Sequence, residues 1–207
     1  MGIETLKKEL IEYGKLCGEK NFTPGVSGNL SARYGDKILI TSSGSANGYL
    51  CDDEFSLIDF DGRVVDGNPK ASSEKMLHVA FYKMRKDINY IIHVHSPYLC
   101  TFASCGKALD EPLMAENIFY FGQIPLAEYG LPSSEDLVQK TARYFDKYDS
   151  VLMANHGFIT GAATIKEAYL KLELAESYAQ VVFNSKLLGG AVMLNQKQIE
   201  EIFTLKG

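Results

Sequence analysis

Ile91-Ile92-His93-Val94-His95-Ser96 is a short β-branched run with histidines at alternate positions. On a strand, residues i and i+2 face the same side. The two imidazoles therefore project together, while Ile92 and Val94 turn the other way into apolar packing. Asn89 to His95 thus reads as a strand whose two faces differ in chemistry. Ser96-Pro97 follows and caps a helix, since proline is comfortable in the first turn. Upstream, Ser72-Ser73-Glu74 opens another helix with a serine cap, and Met76, Leu77, Ala80, Phe81 and Met84 share one of its faces.

Working outward, Ile3, Leu6, Leu10, Tyr13 and Cys17 repeat at helical spacing, with Gly18 as the stop, so 3–17 reads as an amphipathic helix. Thr23 to Asn29 is a Gly-rich loop. Leu30 to Tyr34 and Lys37 to Thr41 flank Gly35-Asp36 as a hairpin, and Leu57 to Phe60 and Arg63 to Val65 flank Asp61-Gly62 as another. A loop, Ser42-Ser43-Gly44-Ser45, separates the two. Toward the other end come a short strand, Gln123 to Ala127, and a helix from Ser133-Ser134-Glu135 to about Tyr148. A strand from Ser150 to Asn155 follows, then a long helix from Ile165 to Ser185, and a last helix holds Ile199, Ile202 and Phe203. No repeat or linker divides the chain. Hairpins are interspersed with helices without regular βαβ alternation. The expectation is one domain over 1–207, of α/β class, with a mainly antiparallel sheet covered by helices.

Composition agrees. Of 207 residues, 46% are hydrophobic and 23% charged, which excludes a disordered or fibrous chain. Lys plus Arg number 21 against 26 Asp plus Glu, a net charge of −5, and no basic run occurs. Nucleic acid and anionic membranes are therefore not expected as partners. No apolar stretch approaches the ~20 residues of a membrane span. Residues 1–20 carry frequent charges and lack a signal-peptide core. The four cysteines make no C-x-x-C pair and read as reduced thiols of a cytoplasmic protein.

The chemistry gathers on three of the four histidines. His93 and His95 share a strand face, and His156 ends a separate strand in Asn155-His156-Gly157. Three neutral imidazoles are a common catalytic zinc ligand set that leaves coordination positions open, and imidazole also accepts other divalent metals. Glu74, in the first turn of its helix, either complements the helix dipole or serves as a base or ligand near a metal. His78, four residues on, takes a supporting role. Gly28-Asn29, Ser43-Gly44 and Ser72-Ser73 are small, polar and placed at element junctions. Each alone is an ordinary turn or cap; together they suggest a phosphate cradle without basic residues.

With Gly28-Asn29-Leu30-Ser31-Ala32-Arg33, Thr41-Ser42-Ser43-Gly44, Ser72-Ser73-Glu74 with His78, His93-Val94-His95 and Asn155-His156-Gly157, the chain resembles the class II aldolase/adducin family, and within it the zinc-dependent aldolases of fuculose 1-phosphate type. The resemblance implies an α/β/α fold, an antiparallel sheet with helices on both sides, and a homotetramer with sites between subunits. It implies Zn2+ held by Glu74, His93, His95 and His156, with Glu74 also the acid/base. It implies a sugar phosphate held by Gly28, Asn29, Ser43, Gly44, Ser72 and Ser73. The implied activity is cleavage of a ketose 1-phosphate to dihydroxyacetone phosphate and an aldehyde through a metal-stabilised enediolate. The family's tyrosine proton donor would fall near Met114, with Tyr120 and Tyr129 as nearby candidates. A ribulose-5-phosphate 4-epimerase would carry aspartates where Glu74 and Ile118 stand. A methylthioribulose-1-phosphate dehydratase keeps a glutamate at position 74. A non-enzymatic adducin-like scaffold has no need of all three histidines.

Overall fold

A computed structural model describes residues 2–205; residues 1, 206 and 207 of the expected domain lie outside the described residues. One sheet is built from β1 Asn29–Tyr34, β2 Lys37–Thr41, β3 Phe55–Asp59, β4 Val64–Gly67, β5 Tyr90–Val94, β6 Leu126–Ala127, β7 Ser150–Met153 and β8 Gly157–Ala162. The strand order is β4-β3-β2-β1-β5-β8-β7-β6. Every pairing is antiparallel except β6 with β7. The β1–β5 pairing is a seam: the first four strands lie on one side of it and the last four on the other.

Helices cover both faces. They are α1 Ile3–Glu19, α2 Lys75–Met84, α3 Pro97–Ser104, α4 Ala115–Phe121, α5 Glu135–Ala142, α6 Ile165–Leu187 and α7 Gln196–Thr204. Strand alternation splits the core in two. Leu39, Ile92, Val94 and Leu152 pack with Leu10 of α1, Leu99 of α3 and Leu172 of α6. Ile38, Ile40, Ile91 and Val151 pack with Leu77 and Phe81 of α2 and Leu137 of α5. A strand buried on both faces reads as a continuous apolar run, as Ile38-Leu39-Ile40 does.

Several local expectations are corrected. Gly18 does not stop α1, which continues to Glu19. Instead Gly14 and Gly18 let the 3-10 turn Asn47–Tyr49 rest on the helix backbone. A Cβ at Gly18 would lie 2.5 Å from Gly48 Cα, and one at Gly14 2.5 Å from the Asn47 carbonyl oxygen. α2 starts at Lys75, with Glu74 in the capping position and no serine cap. Its buried residues are Leu77, His78, Val79, Phe81 and Tyr82, whereas Met76 and Met84 are exposed, because the helix turns two polar side chains inward to meet Ser31. Asn155 adopts a φ of 56°, ending the strand at Met153 and starting a tight turn into β8. Neither β8 nor α4 was anticipated. The helix expected to reach Tyr148 ends at Ala142. Among the described residues, no helix is long and apolar enough to cross a membrane.

Candidate active site

His93 lies fully buried on β5, paired in register with Asn29 of β1. Its Nδ1 is 2.9 Å from the Phe158 carbonyl oxygen on β8. A carbonyl can only accept, so Nδ1 carries a proton and Nε2 is the nitrogen turned to the site, as in metal-ligating histidines. His95, one residue past β5, brings its Nε2 to 3.1 Å from His93 Nε2. His156 lies in the β7–β8 turn rather than at a strand end. The three rings meet edge to face at centroid distances of 4.9–5.1 Å. Their ligand atoms all lie within 4.8 Å of one another. Gly157 is required at this turn, since a Cβ would lie 2.5 Å from the Val94 carbonyl oxygen and 2.8 Å from His95 Cδ2.

The Glu74 carboxylate meets this cluster. Oε2 is 3.0 Å from His93 Nε2 and Oε1 is 3.1 Å from His156 Nε2. Burial disfavours its charge, but His93 and His156 together outweigh burial and hold its carboxyl well below the usual carboxylate range. His95 is pushed down to about 3, first by burial and then by His93 and His156. Three imidazoles and a carboxylate converge on one small volume, with His93 Nε2 turned to the carboxylate and its Nδ1 bound to the Phe158 carbonyl. That donor set fits a divalent cation.

A relay supports Glu74 from behind. Asn29 Nδ2 donates to Glu74 Oε2 at 3.1 Å, and Asn29 Oδ1 faces His78 Nε2 at 2.5 Å. His78 Nδ1 is 2.7 Å from Ser31 Oγ, which is 2.9 Å from the Tyr82 hydroxyl. Burial pushes His78 down to about 3, so the ring is neutral; its Nε2–H donates to Asn29 and its Nδ1 accepts from Ser31. His78 supports the site, as anticipated. On the other side of β5, the Glu176 carboxylate of α6 accepts from Ser96 Oγ at 2.7 Å and from the Tyr98 and Leu99 amides at 2.9 Å. The α3 start beside His95 is thus capped by a distant helix, not by Ser96.

Gly28, Asn29, Ser43, Gly44, Ser72 and Ser73 all line one cleft of about 390 Å³ that also exposes Glu74, His95 and His156. Two backbone bonds draw its loops together: Ser43 N to the Lys70 carbonyl at 2.7 Å, and Ser72 N to the Thr41 carbonyl at 3.1 Å. Among the described residues, no lysine or arginine lines it. Sequence reasoning missed Val26, Ser27, Pro132 and Ser133 in the same walls, and read Ser42 and Asn155 only as parts of motifs. Ser133, like Asn155, has a positive φ, of 66°.

The family model for the class II aldolase and adducin N-terminal domain matches residues 8–183, which takes in every one of these site residues. The chain belongs to the class II aldolase and adducin family. Among its relatives, an L-fuculose phosphate aldolase of Methanocaldococcus jannaschii is 34% identical over 88% of this chain and 98% of its own. A 5-deoxy-D-ribulose 1-phosphate aldolase of Bacillus thuringiensis is 31% identical over 98% of this chain and 95% of its own. A 3-oxo-tetronate 4-phosphate decarboxylase of Haemophilus influenzae is 30% identical over 86% of both. A solved L-fuculose 1-phosphate aldolase superposes with a TM-score of 0.91 at 30% identity, covering 99% of this chain and 97% of the other. In this class II aldolase-family fold, the two candidate tyrosines part company. Tyr120 lines a separate groove with Glu167, Leu170, Lys171 and Leu174. Tyr129 is half exposed and lies shortly before Pro132 and Ser133 of the cleft.

Proposed function

We propose that the chain is a zinc-dependent aldolase that cleaves a ketose 1-phosphate to dihydroxyacetone phosphate and an aldehyde. The observation that carries this reading is the Glu74 carboxylate, set within 3.1 Å of both His93 and His156 at the end of a cleft walled by small polar loops. Glu74, His93, His95 and His156 would hold the ion. When bound, it supplies a Lewis acid against the charge that carbon–carbon cleavage leaves beside a carbonyl.

The chain's own residues do the rest. Gly28, Asn29, Ser43, Gly44, Ser72 and Ser73 bind the phosphate through amides and hydroxyls, which orients the sugar with its carbonyl toward Glu74. Glu74 serves as the acid that gives its proton to the carbon that becomes C3 of dihydroxyacetone phosphate, and as the base that takes it back in the reverse direction. Asn29 and His78 keep the carboxylate in position. We further read the protein as one cytoplasmic domain over 1–207 that assembles as a homotetramer, which light scattering tests.

A second reading has support from the decarboxylase relative, since loss of carbon dioxide from a 3-oxo acid also leaves electrons beside a carbonyl. One experiment separates them. The zinc-loaded protein is offered a panel of ketose 1-phosphates, ketose 5-phosphates and a 3-oxo-tetronate 4-phosphate. Release of dihydroxyacetone phosphate from a ketose 1-phosphate is expected; carbon dioxide, an epimer or a dehydrated sugar as sole product would overturn the reading.

A further inference from the structure

Asn47 belongs to none of the recognised site motifs, yet it is fully buried beside the phosphate loops. It opens the 3-10 turn that follows Ser43-Gly44-Ser45. Its Nδ2 donates to the Ser27 carbonyl at 2.8 Å and to the Gly28 carbonyl at 3.0 Å. The amide orientation follows from chemistry, because an oxygen turned toward two carbonyls would be repelled. Its Oδ1 has no partner among the described residues, so these two bonds are what hold the side chain. Their effect reaches further through Gly28. That residue has a φ of 73°, and its Cα lies so close on the His93 carbonyl that no Cβ would fit.

We propose that Asn47 is the positioning residue of the phosphate cradle, stapling the 27–29 loop to the 42–47 loop and so setting the distance between their anion-binding groups. Two loops that must donate to one phosphate need a fixed separation, and neither has a strand to impose it beyond Asn29 and Thr41. Gly14 and Gly18 give the staple a rigid seat, since α1 presents bare backbone to Asn47 and Gly48. Asn47 touches no substrate; it acts through Gly28, Asn29, Ser43 and Gly44. The proposal rests on the phosphate reading of the cleft.

The test compares wild type with Asn47→Asp and Asn47→Ser, all metal-loaded. Aspartate keeps the shape and turns oxygens toward both carbonyls; serine is too short to reach them. Inorganic phosphate is titrated by calorimetry, and kcat and KM are measured on the ketose 1-phosphate that wild type cleaves. Both variants should weaken phosphate binding by about tenfold or more and raise KM in step, the loss of roughly one well-placed pair of hydrogen bonds. The kcat should stay within about threefold, because the bonds lost serve ground and transition states alike. Metal content should be unchanged. A merely structural residue would lower the melting temperature and metal content and leave the folded fraction's phosphate affinity intact, which would overturn the proposal. Failure of both variants to fold would overturn it too. If wild type itself binds no phosphate, the reading of the cleft falls first, and the staple with it.

Discussion

His93, His95 and His156 depend on one another in a way that single substitutions expose. Each ring packs edge to face on the other two, and His93 is fixed from behind by the Phe158 carbonyl. His93→Ala, His95→Ala and His156→Ala should each lose most of the one divalent ion expected per chain, as read by elemental analysis. Full metal content in all three would show that the histidine site is wrong. Glu74→Gln keeps the shape but cannot move a proton, so kcat should fall by roughly 10²–10⁴-fold while substrate binding is largely kept. Exchange of the C3 proton of dihydroxyacetone phosphate with deuterated water isolates that step. Equal exchange in wild type and a metal-loaded Glu74→Gln variant would reduce Glu74 to a helix-start carboxylate. The H-x-H spacing made two of the three histidines legible in the sequence, because strand geometry alone puts i and i+2 together. Asn47 was not legible. Its partners are backbone carbonyls 20 and 19 residues away, and a buried asparagine in a Gly-Ser loop carries no periodic signal.

At the scale of elements, the sequence showed most of what is local. Both early hairpins stand where their Gly-Asp and Asp-Gly turns put them, and the long helix begins at Ile165 as expected. What it hid was set by distant contacts. β8 begins and nearly ends in glycine, Gly157 and Gly161, so it lacked the β-branched density that marks a strand; both are glycine because neighbouring elements leave no room for a Cβ. Ser96 resembled an N-cap, yet its hydroxyl donates to Glu176, which lies 80 residues away. Glu176→Ala would strand Ser96 Oγ and two amides at the start of α3. Hydrogen bonds to a buried carboxylate contribute about 1.5–3 kcal/mol each, and the three share one group, so a loss of about 3 kcal/mol is expected. Urea denaturation measures it; a change below about 0.5 kcal/mol, ordinary for a surface site, would mean the cap is idle. Glu176→Gln, which keeps an acceptor oxygen, should lose less.

The whole molecule is organised about the β1–β5 seam. Asn29 comes from one side of it and the histidines from the other, with Glu74 reaching in from α2. An ion held there binds the folded chain and not the unfolded one, so at a thousandfold its Kd it should add about 4 kcal/mol of stability. Thermal unfolding with and without a chelator measures this, and a melting temperature indifferent to chelation would contradict it. Hydrogen exchange should slow most at Ser31 and Ile91, which oppose each other across the seam.

The seam also bears on how the protein fails when heated. Many enzymes lose turnover well before they melt, because their reactive groups sit on loops that loosen first. Here His93 and Asn29 face each other across the two central strands, and the Asn29 amide grips Glu74. His93 and Asn29 cannot drift apart unless the middle of the sheet unzips. Heating should therefore keep His93 against Asn29 up to the melting transition, and any turnover lost below it should trace to the His156 turn or the phosphate loops.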